Sequence, residues 1–516
     1  MPYQTLAPSI NHRPDRLAYL WLALSVALLP FSNGRWAIAM VAWLAPVFLL
    51  RFVRTQPRLR GLTLAVLANL LGYALIIFVM APFGVVTDLI LTVSLGVINT
   101  VPYLLDRLLV AQLDGLLGTL VFPLAVTTAW YLIDMSSPDG TLLNPAFTQY
   151  GDLPLMQLVS VTGLWGIIFL MSWLASIVNW AWEHSFVWVQ VRPGLLLYGG
   201  LLAVVLVGGG VRLVLFPPQG ATVRIAGVTA LHHNVLLPSG NFGALLDEKT
   251  TSAQRQAVRP VLDEVDASLL MLTQQEARAG ARIVVWPESG AAVLQEDEAA
   301  FLQAAQSVAR TSGIYLDMGL GVILPRQTPP FGRDESVLID PSGTIVAVYQ
   351  KAHPTPDERL RLAAGNGRIP VVTTPYGHLA TAVCQDLNFL DIVHSVGQAN
   401  ADILIGPTGD WREIDPYHTQ ALTFTAIETG ASLATQVDLG RSVAVDYEGN
   451  VLAATDFYST DPQVMVAYVP IHGVHTLYDT IGDLVAWLSV VGLVALLAVA
   501  IAHRSRVGQA DAEKVP

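Results

Sequence analysis

His378-Leu-Ala-Thr-Ala-Val-Cys384-Gln385-Asp386 is an apolar, strand-like run that ends on the only cysteine of the 516-residue chain. A lone cysteine at the tip of a buried strand is either a small core residue or a nucleophile. Two other strand ends bear on the choice. Val285-Trp286-Pro287-Glu288-Ser289 closes one apolar run, and Tyr349-Gln350-Lys351-Ala352-His353-Pro354 closes another. Each residue alone has an ordinary reading: the cysteine as core filler, Glu288 as a helix cap, Lys351 as a solvated strand end. Explaining the set away needs all three accidents together. A thiol at neutral pH is mostly protonated and must be activated. Glu288 is the candidate general base, taking the Cys384 proton and returning it to the leaving group. Lys351, kept protonated, is the candidate stabiliser of the oxyanion.

The surroundings of these strand ends, residues 221–475, alternate apolar strands with amphipathic helical stretches. Residues 223–228, 282–286 and 314–324 read as buried strands. Residues 296–311 read as a helix with Phe301, Leu302, Ala305 and Val308 on one face. Residues 337–349 form an expected hairpin turning at Asp340-Pro-Ser-Gly343, and 442–453 a second turning at Tyr447-Glu-Gly-Asn450. The pattern predicts a layered α/β domain.

The rest of the chain is of another kind. The sequence is 53% hydrophobic and 13% charged, with a mean hydropathy of +0.52. That is too apolar for a soluble globular protein and puts much of it in a membrane. Seven long apolar segments are expected to span, near 17–32, 35–52, 61–82, 86–105, 108–133, 155–181 and 194–216, with an eighth near 481–502. Each approaches the roughly 20 residues a spanning helix needs. The first lacks a small-residue cleavage site and reads as a retained anchor.

Arg13, Arg16, Arg51, Arg54, Arg58, Arg60, Arg107, Arg192, His503, Arg504 and Arg506 fall on one side if every segment spans, against Arg35 on the other. The positive-inside bias then makes both termini cytoplasmic and residues 221–475 extracytoplasmic. Asp88, Asp114 and Asp483, near span ends, read as interfacial or capping groups. The net charge of -12 and the absence of a basic patch argue against a nucleic-acid partner. A single cysteine excludes an intrachain disulfide. Neither zinc-like Cys/His spacing nor another metal or cofactor motif is present, and the His232-His233 pair reads as loop or surface.

Glu288, Lys351 and Cys384, in that order at strand ends, resemble the catalytic set of the nitrilase superfamily. The resemblance implies an αββα sandwich with its active site at one end of the strands. It also implies a second glutamate shortly after the lysine. Glu358, in Pro354-Thr-Pro-Asp-Glu358-Arg, is the candidate, with Asp357 competing. Trp411 and Arg412 fall where that family has a loop beside the nucleophile, and Glu428 is similar to its structural glutamate.

Over nearly the whole chain, the spans, the outward domain and the closing span resemble the family of bacterial apolipoprotein N-acyltransferases. Asn144-Pro145, Gln149-Tyr150, Leu155-Met-Gln157, Gly163-Leu-Trp-Gly166-Ile-Ile-Phe169-Leu and Gly473-Val-His-Thr476-Leu-Tyr478-Asp-Thr-Ile-Gly482-Asp483 carry the likeness. It implies transfer of an acyl chain from a phospholipid, typically phosphatidylethanolamine, through a Cys384 thioester to the amino terminus of a diacylglyceryl-cysteine lipoprotein. The expected division is a membrane domain over 1–220, a catalytic domain over 221–475, and a final span with a cytoplasmic tail over 476–516. A monomer in the plasma membrane is expected.

The chain departs from that family at Cys384-Gln385-Asp386, where Cys-Tyr-Glu is usual, after Lys351, where Pro-Phe-Gly-Glu is absent, and at Gly227-Val-Thr-Ala-Leu-His-His. These changes cluster near the cleft and make Gln385, Asp386 and Trp411 candidate substrate-binding residues. A membrane-tethered amidase, or an acyltransferase with another acceptor, stays open. So does a non-catalytic lipid- or lipoprotein-binding protein, against which the intact Glu-Lys-Cys set argues.

Overall fold

The computed structural model describes residues 16–80, 84–113, 115–230, 246, 251–325 and 328–512, with side chains to 504. Arg13, Asp114, the His232-His233 pair and Arg506 lie outside the described residues or side chains. Six described helical stretches are long and apolar enough to cross a membrane: Arg58–Met80, Val85–Gln112, Gly115–Ser136, Trp165–Glu183, Trp188–Leu215 and Leu484–Arg504. Two further apolar helices precede them, Ala18–Leu28 and the 17-residue Ala39–Thr55. The second is about 26 Å long at 1.5 Å per residue.

The helices depart from the sequence reading in two places. The segment expected at 155–181 is broken: Leu153–Met156 and Val159–Thr162 are short turns, and the long helix starts only at Trp165. The break is at Gly163, with φ 59°, where a Cβ would sit 2.5 Å from the Tyr478 ring. Only a glycine lets the chain reverse that close to an aromatic. Arg54, read as a loop charge, is instead 8% exposed at the end of Ala39–Thr55. It forks onto both oxygens of Asp106 at 2.8 and 2.7 Å, with Glu183 at 3.2 Å. An arginine in an apolar bundle needs a bidentate partner of this kind.

Between the last two of these spans the chain builds two facing sheets. The strands are β1 Thr222–Val228, β2 Ile283–Val285, β3 Ala291–Leu294, β4 Tyr315–Ile323, β5 Gly332–Ile339, β6 Ile345–Gln350, β7 Val371–Thr374, β8 Gly377–Thr381, β9 Ile403–Ile405, β10 Thr408–Gly409, β11 Ser432–Thr435, β12 Val437–Asp438, β13 Arg441–Val445, β14 Val451–Asp456 and β15 Val464–Pro470. One sheet runs β15-β1-β2-β4-β5-β6 with β3 on β4; the other runs β14-β13-β11-β9-β8-β7; β10 and β12 pair in a small separate sheet. Parallel pairs β1–β2, β2–β4, β8–β9 and β9–β11 form both centres.

The two-residue alternation of a strand sorts the side chains into layers. Ile225, Ile283, Val285 and Leu338 face Leu379, Ile403, Ile405 and Ala434 across the sandwich. On the outer face of the first sheet, Val284, Leu316 and Met318 pack under Leu269 and Leu272 of the helix Ser252–Arg278 and Ala305 of the helix Glu298–Ser312. On the outer face of the second, Leu404 and Leu433 pack under Ile392 of the helix Leu390–Gln398 and Leu422 of the helix Tyr417–Thr429. The order is αββα, as the sequence resemblance implied. Both expected hairpins form, β5–β6 and β13–β14. Their turns are fixed by the Asp340 and Asp446 carboxylates accepting from backbone N–H groups two and four residues on.

The sandwich is seated on the helices rather than tethered beside them. Ile414, Tyr417 and Phe424 share a core with Phe147, Met156 and Trp165. The Thr141 backbone N–H and hydroxyl both donate to the Asn388 carbonyl, at 2.8 and 3.0 Å. One strand contact is tight enough to test. A Cβ on Gly319 of β4 would sit 1.9 Å from the Pro287 carbonyl oxygen, whereas one on Gly199 meets nothing within 4 Å. Gly319→Ala is expected to cost about 1–3 kcal/mol through overpacking. It should lower the thermal midpoint of the detergent-solubilised protein, while Gly199→Ala leaves it in place.

Candidate active site

Three strands from two sheets stop at one place, each for a local reason. Just beyond β2, the Trp286 backbone N–H still reaches the Asp317 carbonyl at 2.9 Å; Pro287 then has no N–H to continue the ladder. Ser289 follows with φ 46°. The turn throws Glu288 across to the short strand β10, where its backbone N–H meets the Thr408 carbonyl at 3.3 Å. β6 ends with the Lys351 backbone N–H on the Asp334 carbonyl at 2.9 Å. The chain beyond β8 turns at Cys384, which has φ 47° and gives its N–H to the Pro407 carbonyl at 2.8 Å. A non-glycine residue in the left-handed region is costly and persists only where its surroundings hold it.

The side chains converge. The Lys351 ammonium is 2.5 Å from Glu288 Oε1, 2.8 Å from Glu358 Oε2 and 3.8 Å from Asp334 Oδ2. Glu288 Oε2 accepts from the Gly409 N–H at 2.8 Å, and Cys384 Sγ lies 3.4 Å from the Gly409 carbonyl oxygen. Lys351 is 1% and Cys384 6% exposed, so water contributes little screening. Burial, and then the Glu288 charge, hold the Cys384 thiol protonated well above its ordinary range. Burial pushes Glu288 up, but the Lys351 charge outweighs it and keeps the carboxyl below its usual range. Burial would discharge Lys351, yet Glu288 and Glu358 hold the ammonium. The resting state is a neutral thiol, an ionised carboxylate and an ammonium within one dry cluster.

The structure therefore brings together Glu288, Lys351, Cys384 and Glu358. Glu358, not Asp357, reaches the lysine: its Oε2 also accepts from the Thr355 N–H at 2.8 Å, and Asp357 is exposed. Gln385 and Asp386 are placed differently from Cys384. Asp386 is fully buried; it takes the Tyr349 hydroxyl at 2.6 Å and the Ala352 and His353 N–H groups at 2.9 and 2.7 Å. It thus pins the chain beyond Lys351. Gln385 donates to the Pro138 carbonyl at 2.9 Å, tying the nucleophile turn to the membrane-side loop. Trp411 donates to the Met80 carbonyl at 2.7 Å. It borders an apolar cleft with Ile76, Met80, Leu91, Trp130 and Leu143. Glu428 is buried near Asp479 and Asp483, at the seam with the last span, and burial holds its carboxyl well above the usual range.

Asp334 escaped the sequence reading. Arg333-Asp-Glu-Ser336 looks like a polar connection, and the strand was expected to begin at 337. Stepping back by two from the inward-facing Leu338 passes through Ser336 to Asp334, both buried. Gly409, whose amide holds Glu288, was also missed; a backbone donor leaves no mark in side-chain identity.

A carbon-nitrogen hydrolase family profile matches residues 251–476, which contain every residue of this cluster. The amidase from Nesterenkonia sp. AN1 is similar in structure at 23% identity, covering 49% of this chain and 92% of its own, with a TM-score of 0.38. The rat deaminated glutathione amidase is 27% identical over 26% of this chain and 47% of its own length. Treponema pallidum apolipoprotein N-acyltransferase 2 is 24% identical, covering 69% of this chain and 71% of its own. The apolipoprotein N-acyltransferase of Geobacter metallireducens is 26% identical over 98% of this chain and 99% of its own, spans and sandwich together. The chain is a membrane protein and an acyltransferase enzyme with a carbon-nitrogen hydrolase domain, and it is similar to apolipoprotein N-acyltransferases over nearly its whole length.

Proposed function

We propose that the chain moves an acyl chain from a phospholipid, through a thioester on Cys384, to the free amino terminus of a diacylglyceryl-cysteine lipoprotein. The observation that carries this reading is the thiol, carboxylate and ammonium in one buried cluster whose flanking loops are bonded to membrane helices. Phosphatidylethanolamine is the proposed donor.

In the first half, Glu288 accepts the thiol proton as the sulfur attacks the ester carbonyl carbon. Lys351 faces the oxyanion of the tetrahedral intermediate. The ester C–O bond breaks and the proton leaves on the lysolipid hydroxyl. In the second half, the amine attacks the thioester carbonyl and the C–S bond breaks. One amine proton passes through Glu288 back to the sulfur. Glu358 and the backbone N–H of Gly409 keep Lys351 and Glu288 aimed throughout. The apolar cleft beside Trp411 is the proposed berth for an acyl chain, and Gln385 and Asp386 act by holding the surrounding loops. Both substrates are bilayer-anchored, so a site seated on membrane helices meets them at high local concentration.

The proposed arrangement is a membrane domain over 1–220, a catalytic domain over 221–475 and a closing segment over 476–516, as a monomer in the plasma membrane. The end of the helix Trp188–Leu215 just before β1, and the helix Leu477–Ile481 just before the last span, support these divisions. The basic residues Arg58, Arg60 and Arg192 support cytoplasmic termini and an extracytoplasmic catalytic domain. Reporter fusions after residue 330 and after residue 516 are expected to report opposite sides of the membrane; the same side from both would refute the topology.

Cys384→Ala should abolish turnover in a protein that still inserts and folds, and intact mass should show one acyl group on the wild type after incubation with phospholipid alone. Glu288→Gln keeps the shape but not the proton transfer, so thioester formation should slow by roughly 100-fold or more. Turnover in the alanine variant would end the covalent scheme.

The acceptor is tested in the second half-reaction. Water at about 55 M would discharge an open thioester, so the cleft must be shielded. The acyl-enzyme is expected to persist in buffer and to discharge quickly when a diacylated lipopeptide with a free amino terminus is added. Rapid hydrolysis with no acceleration by the lipopeptide would instead indicate a membrane-tethered hydrolase.

A further inference from the structure

Three carboxylates crowd one ammonium. Lys351 Nζ lies 2.5 Å from Glu288, 2.8 Å from Glu358 and 3.8 Å from Asp334. Were all three ionised, the cluster would carry a net charge of -2 (three negatives and one positive) in a site where Lys351 and Asp334 are 1% and 2% exposed. Like charges at this separation in a dry pocket do not all ionise; one carboxyl keeps its proton.

Geometry identifies the one that does. Glu288 has the shortest contact to the ammonium, and the Gly409 N–H on its other oxygen at 2.8 Å. Glu358 has the ammonium and the Thr355 N–H, both at 2.8 Å, and its side chain is 33% exposed. Asp334 is the most enclosed and the furthest from the positive charge. Among the described residues, the hydroxyl of Ser289 donates to its Oδ1 at 3.1 Å. Its other oxygen faces the Glu288–Lys351 pair.

We infer that Asp334 is a positioning residue that stays protonated and donates a hydrogen bond to Glu288, so that a single ammonium suffices for the two carboxylates that remain ionised. This rests on the proposed role of Glu288 as the base. The groups facing Asp334 are Glu288 beyond β2, Lys351 beyond β6, Glu358 from the following loop, and the Ser289 hydroxyl. Burial, and next the Glu288 charge, push its carboxyl well above the usual range, in the same sense. As a neutral acid, Asp334 fixes the Glu288 carboxylate without repelling it. Ionised at high pH, it would repel Glu288 and compete for Lys351.

An asparagine copies the protonated form: the amide oxygen accepts from Ser289 and the NH2 group donates to Glu288. The test reads thioester formation on Cys384 of the full-length protein, with phosphatidylethanolamine vesicles and no amine acceptor, from pH 6 to pH 10. Asp334→Leu is expected to slow it by about 100-fold through loss of Glu288 orientation. Asp334→Asn is expected to rescue it to within about threefold of wild type at neutral pH and to move the alkaline limb upward. An equal loss in both variants, with the alkaline limb unmoved, would mean that Asp334 works as an ionised counter-ion and would overturn the inference.

A second readout needs no substrate. The folded chain binds the Asp334 proton more tightly than the unfolded chain. This group's contribution to stability is therefore complete below the ordinary carboxylate range and falls as pH rises toward its raised folded value. The thermal midpoint of Asp334→Asn should accordingly gain on wild type as pH rises from 5 to 9. A constant gap across that range refutes the protonated state even if Cys384 never forms a thioester. An absent thioester with a growing gap refutes the catalytic scheme and keeps the proton.

Discussion

A charged amine buried at 1% exposure is the constraint around which this molecule is arranged. An ammonium taken out of water costs several kcal/mol unless carboxylates and hydrogen bonds replace the solvent. Most of the side chains that face each other inside the sandwich are apolar and cannot provide them. The ammonium and the base gather where the strands stop. Pro287 ends one ladder by lacking an N–H, Asp386 collects the N–H groups that follow Lys351, and Cys384 turns away at positive φ. These local terminations are what bring a base from one sheet, an ammonium from its edge and a thiol from the other sheet into contact.

The second dependence is on the membrane half. The loop after the helix ending at Ser136 touches the catalytic loops at three points. Thr141 bonds Asn388, and both Gln385 and Arg359 donate to the Pro138 carbonyl. Gly140 presses against the Asn388 carbonyl so closely that a Cβ would fall 2.3 Å from it. Trp411 and Arg35 add bonds in each direction across the seam. Here the turn bearing the nucleophile is clamped from the bilayer side, and the cleft beside it is bounded by helices that face lipid.

Much of this was legible in the sequence, and what was not has physical causes. Glu288, Lys351 and Cys384 could be read because each follows a run apolar enough to be a buried strand. Order along the chain and position at a strand end survive without coordinates. The apolar spans were legible from composition alone. The break at Gly163 was not, because it answers to Tyr478, more than 300 residues away. Arg54 was misassigned because charge counting sees a basic residue near a span end and cannot see Asp106 on another helix. Asp386 looked like a substrate contact because it neighbours the nucleophile. The helical turn Cys384–Asn388 points it the opposite way, into the backbone of the Lys351 strand.

Asp334 joins the two themes of burial and legibility. A short polar run on a strand end reads as solvent-facing because sequence reasoning assigns charge to the surface. That assumption fails where a strand enters a charged cluster, since there the inward face is the polar one. Ser336 illustrates the same inversion one pleat further in. Its hydroxyl is buried between Asp317 and Thr381 at 2.7 and 2.8 Å, and it links the two sheets by polar contact beneath the reactive groups. Burial raises the Asp317 carboxyl to about 6. The sandwich thus carries a polar seam, from Asp317 through Ser336 to Thr381, below the catalytic cluster. Apolar packing sets the spacing of the sheets, while this seam and the cluster fix their register at the end where the chemistry takes place.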